Sequence, residues 1–259
     1  MKTPVKSNTH YVSADYLKSI IPKERKIISL ILSSGQIECD LAFNDFNITA
    51  FTNRWANYEF WDSILKDPYK IADLADGMHK QLNPQMVFLL QNNWVKMKDP
   101  FFRSAIYFIL NRYSYDGTIS HGDFNSSNYS AICSRSLINF YENNEIEKIK
   151  IKYYKAEKYY DVLEDIDPSE ILLLPVGPIK IGPLNKNIYT GHEMYDLDYG
   201  VLRKLLRDYQ KDFIAIFKYN KKIIDDFRHN NVIMIDDAGI ATENSRACNE
   251  IVVHNLGVK

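Results

Sequence analysis

The residues with the clearest chemical potential in this 259-residue chain are lysines. Lys148, Lys150 and Lys152 fall at alternating positions. Lys155 and Lys158 continue the series among Tyr153, Tyr154, Tyr159 and Tyr160. Alternate residues of a strand point to one face, so the series makes a basic stripe able to grip phosphates or an acidic protein surface. The competing reading is an edge strand whose lysines resist aggregation. Lys218, Lys221 and Lys222 form a smaller group that reads as a helix surface. His192-Glu193 beside Tyr195 pairs a base with an acid, but no nucleophile accompanies it and a loop is the simpler reading. The six histidines and the cysteines Cys39, Cys133 and Cys248 lack zinc-site spacing. No Gly-x-Ser-x-Gly or Walker pattern occurs. The glycines at 177–182, Gly191, Gly200 and Asp237-Ala238-Gly239 form no Gly-x-Gly turn between a strand and a helix.

The elements that position these residues follow from periodicity and breakers. Residues 14–20 read as a short helix closed by Pro22. Lys26–Leu32 is an apolar β-type run, followed by Ser33-Ser34-Gly35 and a helix through Leu41. Asn47–Thr52 is a second strand. Asp45, in an Asn-Asp pair, reads as a turn residue. Helical spacing covers Trp55–Leu65, Tyr69–Gln81, Val87–Val95 and Phe101–Arg112, with breaks at Asp67-Pro68 and Asp99-Pro100. Residues 117–130 are rich in Ser, Asn, Asp and Gly and read as a loop. Ser134–Glu142 reads as a helix and Glu147–Tyr153 as a half-buried strand. Asp165-Ile166-Asp167-Pro168 carries a helix-start signal. Later strands are predicted at Ile171–Leu174, Phe213–Phe217, Val232–Ile235 and Glu250–His254, with helices at Leu197–Tyr209 and Lys221–His229. This alternation predicts an α/β layer fold.

Several segments, in order, resemble the Dam-type DNA adenine methyltransferase family. The best is Ala105 through Gly117, ending Leu110-Asn111-Arg112-Tyr113-Ser114-Tyr115-Asp116-Gly117, which is similar to the family's "A-x-x-F-x-x-L-N-R-x-S-F-N-G". Ile20-Ile21-Pro22, Phe60-Trp61 through Asp67-Pro68, Gly122-Asp123-Phe124-Asn125, Tyr195 through Leu206, and Cys248-Asn249-Glu250-Ile251-Val252-Val253-His254-Asn255 resemble further family segments. The resemblance implies a Rossmann-like methyltransferase sheet with helices on both faces and a small helical inserted lobe. It places the α/β core at 1–80 and 146–259, and at 81–145 a helical lobe similar to the family's DNA target-recognition region. It implies DNA or partner contacts at Asn111, Arg112, Tyr115 and Asn125, joined by Lys148, Lys150 and Lys152 of the basic stripe.

The family's functional motifs are degraded. Its cofactor turn "E-P-F-x-G-S-G" matches Ser29-Leu30-Ile31-Leu32-Ser33-Ser34-Gly35, where only Ser34 and Gly35 survive and Ser33 adds a Cβ to the turn. Its ribose-binding acid matches Thr52-Asn53, which has no carboxylate. Its base clamp "D-P-P-Y" supplies an Asp and the following carbonyl to accept the target amine, and a ring to stack on the flipped base. The match is Leu174-Pro175-Val176-Gly177, with side-chain acceptor and ring both lost. The "K-x-x-G-G-K" motif becomes Lys6-Ser7-Asn8-Thr9-His10-Tyr11. The loop after Gly117, from Thr118 to Asp123, has no Arg or Lys for base-edge readout. Asn125, Ser126, Asn128 and Tyr129 offer polar contacts or form a solvated loop.

Composition bounds the partners. Net charge is −1 and the hydrophobic fraction 46%, so no global basic field draws the chain to nucleic acid. Three separated cysteines fit a reducing compartment. There is no signal-like apolar run and no stretch of membrane-spanning length. Abundant Tyr, Asn, Ile and Lys suggest an AT-rich genome, phage or viral. The expectation is a cytoplasmic, catalytically inactive DNA adenine methyltransferase-like protein without cofactor or metal, acting as a binding or structural subunit with DNA or another protein. The alternative is an active adenine methyltransferase with divergent motifs that uses S-adenosylmethionine.

Overall fold

The computed structural model of the chain describes residues 3–6, 10–30, 34–114, 119, 131–142, 149–153, 159–179 and 198–257. In chain order the elements are α1 (Ala14–Ile20), β1 (Ile27–Leu30), α2 (Gln36–Ala42), β2 (Ile48–Thr52), α3 (Trp55–Lys66), α4 (Pro68–His79), α5 (Pro84–Asn93), α6 (Pro100–Tyr113), α7 (Ala131–Glu142), β3 (Ile149–Tyr153), α8 (Tyr159–Glu164), β4 (Ile171–Gly177), α9 (Tyr199–Asp208), β5 (Phe213–Lys218), α10 (Lys221–Asp226), β6 (Asn231–Asp236) and β7 (Cys248–His254). They form two compact units. A helical unit is built chiefly from residues 54–147, and a sheet unit from 9–53, 148–185 and 195–259.

The sheet unit is an α/β fold of Rossmann-like type. Its seven strands run in the order β3-β2-β1-β4-β5-β7-β6. The first five of that order are parallel, and β7 is antiparallel to both β5 and β6. Strands β1 and β5 are apolar at nearly every position, as strands covered on both faces must be. On one face Ile28, Leu30, Leu172, Leu174, Phe213 and Phe217 pack with Leu202 and Leu206 of α9 and Ile223 of α10. On the other, α1 and α2 bury Leu17, Ile37 and Leu41.

In the helical unit, three helices begin with the same device. Asp67, Asn83 and Asp99 each precede a proline and accept a bond from the main-chain N–H of Lys70, Met86 and Phe102. The proline suits a first helical turn, where its missing N–H costs nothing. The Asp-Pro pairs fall at the expected breaks, with α3 ending at Lys66, and they also start the helices that follow. Phe60 and Trp61 of α3 pack with Tyr107, Phe108 and Phe140 from α6 and α7. Arg103 donates from Nε to Glu59 at 2.7 Å, and its guanidinium lies 5.1 Å from the Trp55 ring.

Three expectations change. Strand β4 continues past Leu174 to Gly177 through a bulge between Pro175 and Gly177. Asp167 does not start a helix. It accepts bonds from the Ser169 N–H and hydroxyl in a turn leading into β4, because the chain must enter the sheet two residues later. The six-residue α8 has no counterpart in the sequence reading. Asp45 is the turn residue expected, in the left-handed region at φ 69°.

Candidate ligand crevice at the β1–β4 switch point

The sheet order reverses between β1 and β4. From β1 the chain passes through α2 to β2 on one side, while β4 lies on the other. In open α/β sheets such a point, at the carboxyl ends of the strands, is where ligands bind.

Gly35 leads into α2 with φ 73°, a conformation that favours glycine. Gln36, the first helical residue, is buried. Its side-chain amide accepts from the Tyr11 N–H at 3.1 Å and donates to the Tyr11 carbonyl at 2.9 Å. The Tyr11 hydroxyl donates to the Pro175 carbonyl at 2.7 Å. Tyr11 is 3% exposed and bridges the start of α2 and the bulged end of β4. The chain's own N-terminal segment thus lies over the switch point.

The rest of that segment is pinned as firmly. The Glu250 carboxylate, fully buried near the start of β7, accepts from the N–H groups of Val12 and Ser13 at 3.1 Å. It also pairs with Lys218 Nζ at 2.9 Å, and Lys218 donates in addition to the His10 carbonyl. Gly239, with φ 80°, passes so close that a Cβ there would stand 2.7 Å from the Val12 oxygen. His10 to Ser13 form a strap held by α2, β4, β5, β7 and the β6–β7 turn.

Beneath the crest, Ser29 of β1 donates to Glu38 of α2 at 2.7 Å. Glu38 is 2% exposed. Burial pushes its carboxyl up to about 7, against the lowering effect of the Ser29 hydrogen bond. Burial also pushes the neighbouring Cys39 thiol up, which makes it a poor nucleophile.

Of the residues expected at the base clamp, Leu174 is 1% exposed and belongs to the apolar core. Val176 packs partly against that core. Gly177 sits at φ 72°, and Pro175 offers its carbonyl to Tyr11. At the cofactor turn, Ser34 is buried and Gly35 is left-handed; Ser33 lies outside the described residues. Thr52, at the end of β2, is buried.

The expected contact residues divide three ways. Asn111 is 1% exposed. Its amide oxygen accepts from the Lys6 N–H at 2.7 Å and its nitrogen donates to the Lys6 carbonyl at 3.1 Å. Lys6 in turn donates from Nζ to the Arg112 carbonyl at 2.8 Å, capping the end of α6. Burial lowers the Lys6 ammonium pKa, and the Arg112 charge adds to this. Asn111 is therefore an internal bracket of the helical unit, which corrects the expectation of a surface contact. The Arg112 guanidinium lies 5.5 Å from the Phe108 ring. Lys150 and Lys152 are exposed on β3, with Lys152 Nζ 5.4 Å from the Phe51 ring. Tyr115, Asn125 and Lys148 lie outside the described residues, as do Lys155, Lys158 and His192-Glu193.

Sequence reasoning named neither Tyr11 nor Gln36 as site residues. Glu250 stood in a quoted segment without a role. Among the described residues no group of His, Cys, Asp and Glu is placed to hold a metal ion, and no helix is long and apolar enough to cross a membrane. The sequence matches no family model and no curated protein.

Proposed function

We propose that this chain is a catalytically inactive relative of the DNA adenine methyltransferases that serves as a binding or structural subunit. The observation that carries the reading is the occupation of the switch-point crest by Tyr11. Under the resemblance, Pro175 is the residue whose carbonyl would accept the amine of a flipped adenine. Here that oxygen accepts from Tyr11 instead. The residue before it, where a catalytic Asp would stand, is Leu174, turned into the apolar core. A leucine can accept no hydrogen bond, so no side chain at this position helps the amine attack a methyl donor.

What remains useful is the surface. Lys150 and Lys152, exposed on β3, suit the phosphates of DNA or an acidic subunit. The test is methyl transfer. Purified protein is incubated with unmethylated duplex DNA and methyl-labelled S-adenosylmethionine. The reading requires no incorporation above a protein-free blank; turnover into DNA contradicts it.

A further inference from the structure

Helix α5 lies at the surface of the helical unit with apolar side chains turned outward. It packs chiefly on α6 and on the single turn Trp94–Lys96 that follows it, with Val87 as its buried anchor. Phe88 is 65% exposed, Leu89 58% and Met86 38%. Gln85, Phe88, Leu89 and Asn92 stand three and four apart, so they share the outer face, and Gln85 and Asn92 are exposed with the other two. Large apolar side chains grouped on a surface mark a contact site.

The charge around this face is of one sign. From Gly77 to Lys98 the sequence holds no Asp or Glu. Lys80 before the helix, and Lys96 and Lys98 after it, are exposed. Asp99, the next acid in sequence, is engaged as the cap of α6. Helix α5 itself carries no charged residue, so covering its face strips water from no charge. The Asn92 and Asn93 amides donate to the Phe88 and Leu89 carbonyls at 2.7 and 2.9 Å, so these carbonyls do not depend on water either. An apolar centre between lysines is complementary to a surface that is oily beneath and anionic above. DNA offers phosphates but no apolar layer for Phe88 and Leu89. A second copy would gather the lysines of both chains around one contact, in either orientation, and they would repel. A membrane also receives a convex face without a matching groove.

We propose that α5 docks this chain on anionic membranes. Phe88 and Leu89 enter the boundary between headgroups and acyl chains, and Lys80, Lys96 and Lys98 meet acidic lipid headgroups. The site is separate from the crest, and its test does not bear on methyl transfer.

The full chain is sedimented with vesicles of phosphatidylcholine alone, and with vesicles of which about a third is phosphatidylserine. The expected result is binding to the second set only. Phe88→Ser/Leu89→Ser and, separately, Lys80→Gln/Lys96→Gln/Lys98→Gln each weaken that binding about tenfold. All five positions are exposed, so both variants keep the fold, which an unchanged Tm checks. No binding of wild type to phosphatidylserine vesicles overturns the proposal and leaves the face to an acidic protein. Equal binding to both vesicle sets overturns it, as does binding that survives either set of substitutions. A wild-type dimer in sedimentation velocity without vesicles, dissociated by Phe88→Ser/Leu89→Ser, overturns it as well and assigns the face to a second copy.

Discussion

The Tyr11 hydroxyl and the Pro175 carbonyl, 164 positions apart in the chain, meet at 2.7 Å. The contact brings the N-terminal segment onto the carboxyl end of β4. It uses a main-chain acceptor beside the β4 bulge, and it leaves the switch point covered by protein.

The strap hangs on Glu250. In Glu250→Ala, the Val12 and Ser13 N–H groups lose their acceptor and Lys218 loses its partner. Breaking a buried, hydrogen-bonded pair from one side costs about 3 kcal/mol. Urea unfolding should show a loss of that size, with Glu250→Gln losing less because it still accepts. Equal stability of Glu250→Ala and wild type would mean that the strap is not held this way.

Two buried groups tilt stability with pH in opposite directions. The unfolded chain releases the Glu38 proton near its ordinary 4.5, the folded chain near 7. Between those values the folded state holds the extra proton, so this contribution falls as pH rises and is fully lost above about pH 7. The difference amounts to about 3 kcal/mol, and Glu38→Gln should abolish it. His254 is buried against Tyr16 and Asn231, and burial lowers its pKa below the ordinary 6.5. Its contribution is present above pH 6.5 and is lost as pH falls below it. Urea midpoints from pH 4 to 9, for wild type and Glu38→Gln, separate the two limbs.

Asn111 joins the N-terminal residues to α6 through two bonds to Lys6. Asn111→Ala leaves both Lys6 main-chain groups without this partner and costs about 2 kcal/mol. Thermal unfolding checks the loss. A fully stable variant would return Asn111 to the pool of contact residues.

Under the proposed function, the exposed Lys150 and Lys152 of β3 carry the anionic contact. The double substitution Lys150→Ala/Lys152→Ala should leave stability within about 0.5 kcal/mol, as exposed changes do. If the anion is duplex DNA, the slope of log affinity against log salt drops by about 2. Fluorescence anisotropy with a labelled duplex measures it. An unchanged slope would assign these lysines to edge protection.

The sheet was legible in the sequence where strands are apolar on both faces. The observed Ile27–Leu30, Phe213–Lys218 and Cys248–His254 match the expected spans to within two residues at each end. Helix α6 was legible from its spacing. The crest was not. Its bonds link residues far apart: Tyr11 to Pro175, and Val12 to Glu250 across 238 positions. No local pattern marks them. Pro175 looked like the end of a strand because proline cannot donate, yet its carbonyl stays in use. Glu38 drew no reading from the sequence, and its bond from Ser29 emerges only when β1 and α2 pack. The breaks at Asp67 and Asp99 were legible from their prolines, while their side-chain caps on Lys70 and Phe102, which start α4 and α6, were not read.

Under the proposed function the crest at the end of β4 takes no methyl donor. Isothermal titration of S-adenosylmethionine into the purified protein decides this: the expected result is no binding heat at cofactor concentrations up to the millimolar range, and a saturable isotherm with micromolar affinity would overturn the reading.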